Sequence, residues 1–321
     1  MTDLERHNHR QIERLNQRGG RTLTMVDLIR DGTLSVPMAA YALRAMERGA
    51  SLLTAARPGG AGKTTLMASI LHLLPPGVRI VTVDGPQVLG NVAALGAGLL
   101  TPPLPRPKVS EGEPEEMPIR EDLCQSGDLR SGGRRGQETH AERAESHAER
   151  VPSPPAPFPK RERGESHCYL VHEIGDGHWY GYLWGPDVAR YLSLIDGSRR
   201  IASCLHADTL EELTAILGSP PLGVAREALA RVGLILFMHV RRTRAGYQRR
   251  AATFYQSDGQ GGHRLLFQWD AQSDTFRQTG DLPDPDGLEH SMRFVQDLVD
   301  TDTCEVECLR RKVLAFYRQK A

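Results

Sequence analysis

Residues 51–66, SLLTAARPGGAGKTTL, decide the fold, because an apolar run leads into a glycine-rich turn and then into a helical pattern. Gly59, Gly60 and Gly62 allow the backbone to turn tightly, so that successive N–H groups converge on one point. The free amides at the start of the helix that follows add positive potential at the same point. The stretch therefore predicts a binding site for an anion such as a phosphate group.

The turn is close to the P-loop pattern G-x-x-x-x-G-K-[ST], in which the lysine reaches the β- and γ-phosphates and the hydroxyl residue binds Mg²⁺. Lys63 and Thr64 occupy these last two positions, whereas Arg57 stands where the first glycine belongs. We interpret the turn as a site for ATP and Mg²⁺; the alternative is a glycine-rich helix start with an exposed lysine. The predicted nucleotide-binding residues are Gly59, Gly60, Ala61, Gly62, Lys63, Thr64 and Thr65.

The composition is that of an ordinary globular chain with no general affinity for polyanions. Lys plus Arg equal Asp plus Glu at 40 each, so the net charge leaves nucleic-acid binding unsupported. No apolar run approaches the roughly 20 residues of a membrane span, and residues 232–240 are predicted to form a buried strand instead. The cysteines lack the paired spacing of a disulfide framework, which favours a reduced, cytoplasmic chain. They are Cys124, Cys168, Cys204, Cys304 and Cys308.

The patterns along the chain predict an α/β fold with a largely parallel sheet. A strand at 51–56, a helix at 64–74 and a strand at 78–84 make one right-handed βαβ unit, whose strands are parallel. Alternating residues at 241–280 predict antiparallel closing hairpins. We therefore expect ligands at the carboxyl edge of the parallel strands.

One segment interrupts this pattern. Residues 102–166 are rich in Pro, Glu, Arg and Ser and cannot bury enough surface to offset the entropy lost on ordering, which predicts a disordered insertion. The expected organisation is a polar N-terminal arm at 1–25, either mobile or a short solvated helix; a P-loop domain in two parts at 26–101 and 167–282; the insertion at 102–166; and a C-terminal helical pair at 283–321.

Several segments share their order and spacing with one family. GTLSVPMAAYALRAMERGASLLTAA at 32–56 leads into GAGKTTLMASIL at 60–71, and in IASCLHADTLEE at 201–212 a strand ends in a histidine just before a capped helix. LILFMHVRRTRAGYQRRAATFYQ at 234–256 and RLLFQWDAQSDTFRQTG at 264–280 follow. In this order they resemble the type II/IV secretion-system ATPases, the motors of pilus assembly, pilus retraction and secretion. The turn resembles their P-loop, and residues 201–212 resemble their histidine box.

The resemblance implies a RecA-like P-loop NTPase core that hydrolyses ATP and assembles as a homo-oligomer, in this family a hexamer. It implies a cytoplasmic protein, peripheral at the inner face of the membrane, whose partner is a membrane platform or a pilus or secretion-apparatus protein. The stretch before the P-loop is too short for the family's folded N-terminal domain, so we expect a divergent member that lacks it.

The resemblance also points to catalytic candidates. Asp84 ends the strand after the P-loop helix, where the family places a glutamate; it either polarises the attacking water or caps the loop. Glu173, in YLVHE, is the Walker B candidate that would hold Mg²⁺ through water, unless it is an ordinary solvated strand end. A rival alignment places YGYLWGPD there and leaves Asp187 as the nearest acid.

Two further kinds of side chain are candidates. His206 is expected at the carboxyl edge of the sheet, where it would sense the γ-phosphate, with a purely structural histidine as the alternative. One of five arginines would meet phosphate charge at a subunit boundary, with a solvated basic hairpin as the alternative. These are Arg241, Arg242, Arg244, Arg249 and Arg250.

Three functions are compatible with these patterns. The leading hypothesis is an ATP-hydrolysing motor of the secretion type. The first alternative is a degenerate nucleotide-binding switch or scaffold without turnover, favoured by Arg57 and by the shorter acid Asp84. The second is a P-loop small-molecule kinase.

Overall fold

The computed structural model describes residues 1–16, 19–83, 89, 166–176, 181–244, 246–282 and 284–319. Its helices are α1 (Asp3–Glu13), α2 (Met25–Arg30), α3 (Val36–Glu47), α4 (Lys63–Leu71), α5 (Pro186–Ser193), α6 (Leu210–Gly218), α7 (Arg226–Leu229), α8 (Pro285–Asp300) and α9 (Val306–Arg318). Its strands are β1 (Leu52–Ala55), β2 (Val78–Thr82), β3 (Ser166–Leu170), β4 (Glu173–Ile174), β5 (Tyr182–Leu183), β6 (Arg199–Leu205), β7 (Leu234–Thr243), β8 (Gly246–Ser257), β9 (His263–Asp270) and β10 (Thr275–Gln278).

The strands form one mixed sheet in the order β10-β9-β8-β7-β1-β6-β3-β2, with β4 and β5 beside the end of β6. The five strands β7, β1, β6, β3 and β2 are parallel, and β7 to β10 are joined antiparallel. The predicted α/β fold, its parallel sheet and its antiparallel closing hairpins are confirmed.

Strand β1 lies inside the sheet and is buried on both faces. Leu52 contributes to the core under helices α1 to α4, α8 and α9, whereas Leu53 and Ala55 contribute to the core under α5 and α6. This alternation follows from the period of two along a strand. The helices that follow the neighbouring strands β1 and β6, α4 and α6, therefore cover opposite faces. Such a reversal leaves a crevice at the carboxyl ends of the two strands.

The N-terminal segment is not the solvated helix or mobile arm that its polarity predicts. Asn8 of α1 is buried and bonds to β2, donating to Val78 O at 2.7 Å and accepting from Ile80 N at 2.9 Å. Glu5, also buried, forms an ion pair with Arg310 of α9 at 2.6 Å. The polar residues of α1 are therefore internal partners of the β2 backbone and of a distant helix, which explains why composition alone was misleading.

Two other predictions concern residues that the structure does not describe. The predicted insertion 102–166 lies outside them except for Ser166, which is buried and is the first residue of β3. Asp84 also lies outside them. None of the described helices combines the length and the apolar composition needed to cross a bilayer.

Candidate functional site

The glycine-rich turn joins the end of β1 to the start of α4. Gly60 has φ +76° and Gly62, the N-cap of α4, has φ +97°. Both lie in the left-handed region that glycine adopts without strain, so the shape of the turn depends on these two residues. The first amides of α4 therefore point out of the carboxyl edge of the sheet, as an anion site requires.

Lys63 is the first residue of α4 and is 6% exposed. Its Nζ atom donates to Ala56 O at 3.0 Å, across the turn, and lies 3.2 Å from His206 Nε2. Burial lowers the pKa of Lys63, although Glu173 opposes this effect. The alternative of an exposed lysine is therefore wrong. The hydrogen bond to Ala56 O uses one of the three ammonium donors, and Lys63 forms no direct ion pair with another described residue. The remaining donors can therefore serve a bound anion.

His206 follows β6 and links the turn to a carboxylate. Its Nδ1 atom lies 2.6 Å from Arg57 O, and because a carbonyl only accepts, Nδ1 is the donor. Its Nε2 atom lies 2.5 Å from Glu173 Oε1. The imidazole therefore contacts the turn, the Lys63 ammonium and Glu173 together, and its side chain remains 47% exposed towards the edge of the sheet.

Glu173 begins β4 and is buried at the same edge. Its Oε2 atom accepts a hydrogen bond from Tyr182 of β5 at 3.0 Å. Burial, and then the charge and hydrogen bond of Glu173, raise the pKa of Tyr182 to about 12, so the phenol stays protonated and donates. Glu173 is therefore not a solvated strand end: it is held from both sides by His206 and Tyr182.

The rival acid of the alternative alignment lies elsewhere. Asp187 is in the first turn of α5, where its carboxylate pairs with Arg190 at 2.8 Å. That alignment leaves Leu183 or Trp184 where the acid belongs; Leu183 is buried in the core and Trp184 is exposed. Of these two acids, Glu173 is the one connected to the glycine-rich turn: it contacts His206, which contacts Arg57 O.

The departure from the P-loop pattern at Arg57 has a structural explanation. Arg57 is not among the residues with positive φ, so the backbone does not require glycine there. Its N–H donates to Asp208 Oδ1 at 2.7 Å, and its guanidinium pairs with Glu212 of α6. Arg57 thus attaches the turn to the segment after β6. The departure from the pattern is visible in the sequence. The contact is not, because 151 residues separate Arg57 from Asp208.

Polar residues under the turn complete the site. Thr54 of β1 donates to Lys63 O at 3.1 Å and contacts Cys204 Sγ at 3.2 Å. The Thr64 hydroxyl lies 3.9 Å from the same sulfur. Burial raises the pKa of Cys204 to about 11, so its thiol is neutral and packs as a small apolar group beneath α4. Thr54 belongs to no sequence motif, so its contact with the start of α4 is seen only in the structure.

The fit to Mg²⁺ rests on Thr64 and Glu173. Among the described residues, no group of three or more His, Cys, Asp or Glu side chains is arranged to hold a metal. Mg²⁺ beside phosphates keeps most of its waters and needs one or two carboxylates rather than a protein cage. Each Glu173 oxygen bonds one neighbour and keeps a second lone pair for a water molecule. The residues present therefore fit a water-mediated metal held chiefly by a phosphate tail.

The five arginines of the β7–β8 hairpin differ in their surroundings. Arg250 is buried and paired with Asp274, and Arg241 contacts Gln248 and the ring of Trp269. Arg249 alone among the five contacts the glycine-rich turn.

Neither a protein-family model nor a curated protein sequence matches this chain.

Proposed function

We propose that this chain binds ATP at residues 59–65 and hydrolyses it, as a motor of the type II/IV secretion ATPase type. The observation that carries the proposal is the buried Lys63 ammonium, which lies between a glycine-rich turn and His206 at the carboxyl edge of a parallel sheet. A phosphate tail at this point would be a negatively charged partner for the Lys63 ammonium. Its oxygens would accept hydrogen bonds from the amides of the turn.

Glu173 is the proposed acceptor of the proton from the attacking water. It is a carboxylate at the same edge as Lys63, and His206 joins the two. Asp84 is the second candidate for this role, from its place in the sequence alone. Mg²⁺, when bound beside Thr64, would neutralise charge on the phosphates. His206 is the proposed sensor of the γ-phosphate, and its contacts with both the turn and Glu173 support this role.

The motor part of the proposal rests on the resemblance in motif order. It includes a homo-oligomer, by analogy a hexamer, that acts at the cytoplasmic face of a membrane on a platform or pilus protein. The strand that carries the histidine box, β6, lies directly beside the P-loop strand β1, which supports the assignment of both motifs to one site.

A switch without turnover is the second candidate, and two contacts of Glu173 favour it. Both oxygens of Glu173 already bond to protein groups, Nε2 of His206 and the hydroxyl of Tyr182. If nucleotide binding leaves these bonds in place, Glu173 is held as a structural residue and the chain binds ATP without cleaving it.

Phosphate release and nucleotide binding, measured together, separate these candidates. We expect Lys63→Ala to lose both, and Glu173→Gln to keep binding while its rate falls by about 10²-fold or more. Asp187→Asn is the matched control, since that acid pairs with Arg190 away from the site. Binding without release in the wild type would favour the switch. A Glu173→Gln variant with the wild-type rate would overturn the role of Glu173.

A further inference from the structure

Arg249 lies across the glycine-rich turn of its own chain. Its Nε atom donates to Gly60 O at 3.1 Å. Its Cδ atom packs against Gly62, where an added Cβ would come within 3.3 Å of it. The aliphatic part of the side chain therefore covers Gly62, and the guanidinium lies beside Gly60.

The pairing of β7 with β8 explains why this arginine reaches the turn and its neighbour does not. Arg249 is opposite Val240 and Arg250 is opposite His239, so the two arginines project to opposite faces of the sheet. Arg250 forms an ion pair with Asp274 on the other face. Arg242 and Arg244 are exposed near the end of the hairpin. The geometry therefore distinguishes Arg249 from the rest of the group.

The guanidinium of Arg249 has donors left for a ligand. Within the described part of the chain, its only hydrogen bond is the one from Nε to Gly60, and its Cζ atom lies 5.7 Å from the centre of the Tyr247 ring. The two Nη groups, which form a fork that matches phosphate oxygens, are not used by these contacts.

We propose that Arg249 is a phosphate-binding residue of the nucleotide site, supplied in cis by the chain that supplies Lys63. This inference rests on the proposed function and deepens it. It replaces the expected finger from a neighbouring subunit with a cation of the same chain, so a single chain holds both the ammonium and the guanidinium that meet the phosphates.

The first test measures the affinity of ATP and of inorganic tripolyphosphate for purified full-length variants. Loss of a charge-assisted hydrogen-bond pair predicts that Arg249→Ala weakens both ligands by about 10- to 100-fold. Arg249→Lys should recover only part of this loss, because an ammonium is a single point of contact. Arg242→Ala, an exposed arginine of the same hairpin, should stay within about twofold of the wild type. Equal thermal midpoints would confirm that the variants fold.

The second test distinguishes a residue in cis from one in trans. Lys63→Ala and Arg249→Ala chains are mixed in equal amounts and assayed for ATP binding. Sites completed by a neighbouring subunit would be restored in the mixture, which would overturn the inference, whereas a cis residue gives no restoration.

The outcomes separate this inference from the proposed function. If the wild type binds ATP, Lys63→Ala abolishes binding and Arg249→Ala binds like the wild type, the inference fails and the proposed function stands. If the wild type binds neither ATP nor tripolyphosphate, both fail. If binding depends on Arg249 while no phosphate is released, the inference holds and the hydrolytic part of the proposed function fails.

Discussion

The Nζ atom of Lys63 lies 3.2 Å from Nε2 of His206, although 143 residues separate the two in the sequence. The same imidazole nitrogen lies 2.5 Å from Glu173. A cation of the glycine-rich turn and a buried carboxylate of β4 are therefore joined through one ring.

Lys63→Met should abolish nucleotide binding without destabilising the unliganded protein. Burial lowers the pKa of Lys63, which means that its charge is a net cost in the folded state. The substitution removes this cost and also the hydrogen bond to Ala56 O, so we expect the free energy of unfolding to change by less than about 2 kcal/mol. Urea unfolding without nucleotide measures this change. A loss of more than about 2 kcal/mol would show that the ammonium is needed for the fold rather than for a ligand.

Tyr182→Phe should reduce turnover and leave ATP binding unchanged. The substitution removes the hydrogen bond to Glu173 Oε2 and keeps the ring, so the carboxylate is less well oriented. Misplacement of a reacting group by a fraction of an ångström is costly, and we expect kcat to fall by about 10-fold with KM unchanged. A changed KM with an unchanged kcat would contradict a positioning role for Tyr182.

His72→Leu should weaken the dependence of stability on pH. His72, at the end of α4, is completely buried near His9 and Arg310, and burial lowers its pKa from 6.5 to about 3. Below about pH 6.5, His72 therefore binds a proton in the unfolded chain and stays neutral in the folded chain. This difference lowers the free energy of unfolding as the pH falls from about 6.5 towards 3. For one group the slope is at most about 1.4 kcal/mol per pH unit.

Urea unfolding at pH 7 and pH 5 measures this slope in the wild type and the variant. The wild type should lose more stability than His72→Leu over this interval. Equal losses would show that other groups account for the acid sensitivity.

Arg310→Met should destabilise the protein strongly, because it leaves Glu5 charged and buried. Breaking one side of a buried ion pair costs about 3–5 kcal/mol. Arg310 also donates to His72 O at 3.1 Å, so the variant loses a bond to the end of α4 as well. Arg311→Met, at the next position of α9 and exposed, is the control and should change stability by less than about 0.5 kcal/mol. Similar unfolding curves for the two variants would refute the structural role of α1.

The elements around the turn could be predicted from sequence because their signals are local. The strand at 51–56 and the helix at 64–74 correspond to β1 and α4, and Ser35 accepts a capping hydrogen bond from Met38 N at the start of α3. Glycine and capping side chains act within a few residues, so a linear pattern contains them. The same is true of α6, which begins after Thr209.

The contacts that define the site could not be predicted in this way, because they join distant segments. The apolar pattern favoured Glu173 and left the rival alignment open, because the sequence does not show that β4 is the strand that pairs with the end of β6. The hydrogen bond from Tyr182 of β5 to Glu173 of β4 is one such contact, because no local pattern indicates it. The N-terminal helix was misjudged for a similar reason, since its buried partner Arg310 is 305 residues away.

The proposed nucleotide site is tested most directly by a calorimetric titration of ATP with Mg²⁺ into the 321-residue chain and into its Lys63→Met variant. We expect a saturable heat for the wild type and none for a folded Lys63→Met variant. A wild-type chain that gives no heat at any ATP concentration, or a variant that binds as tightly as the wild type, would contradict the claim that the glycine-rich turn and Lys63 hold a triphosphate.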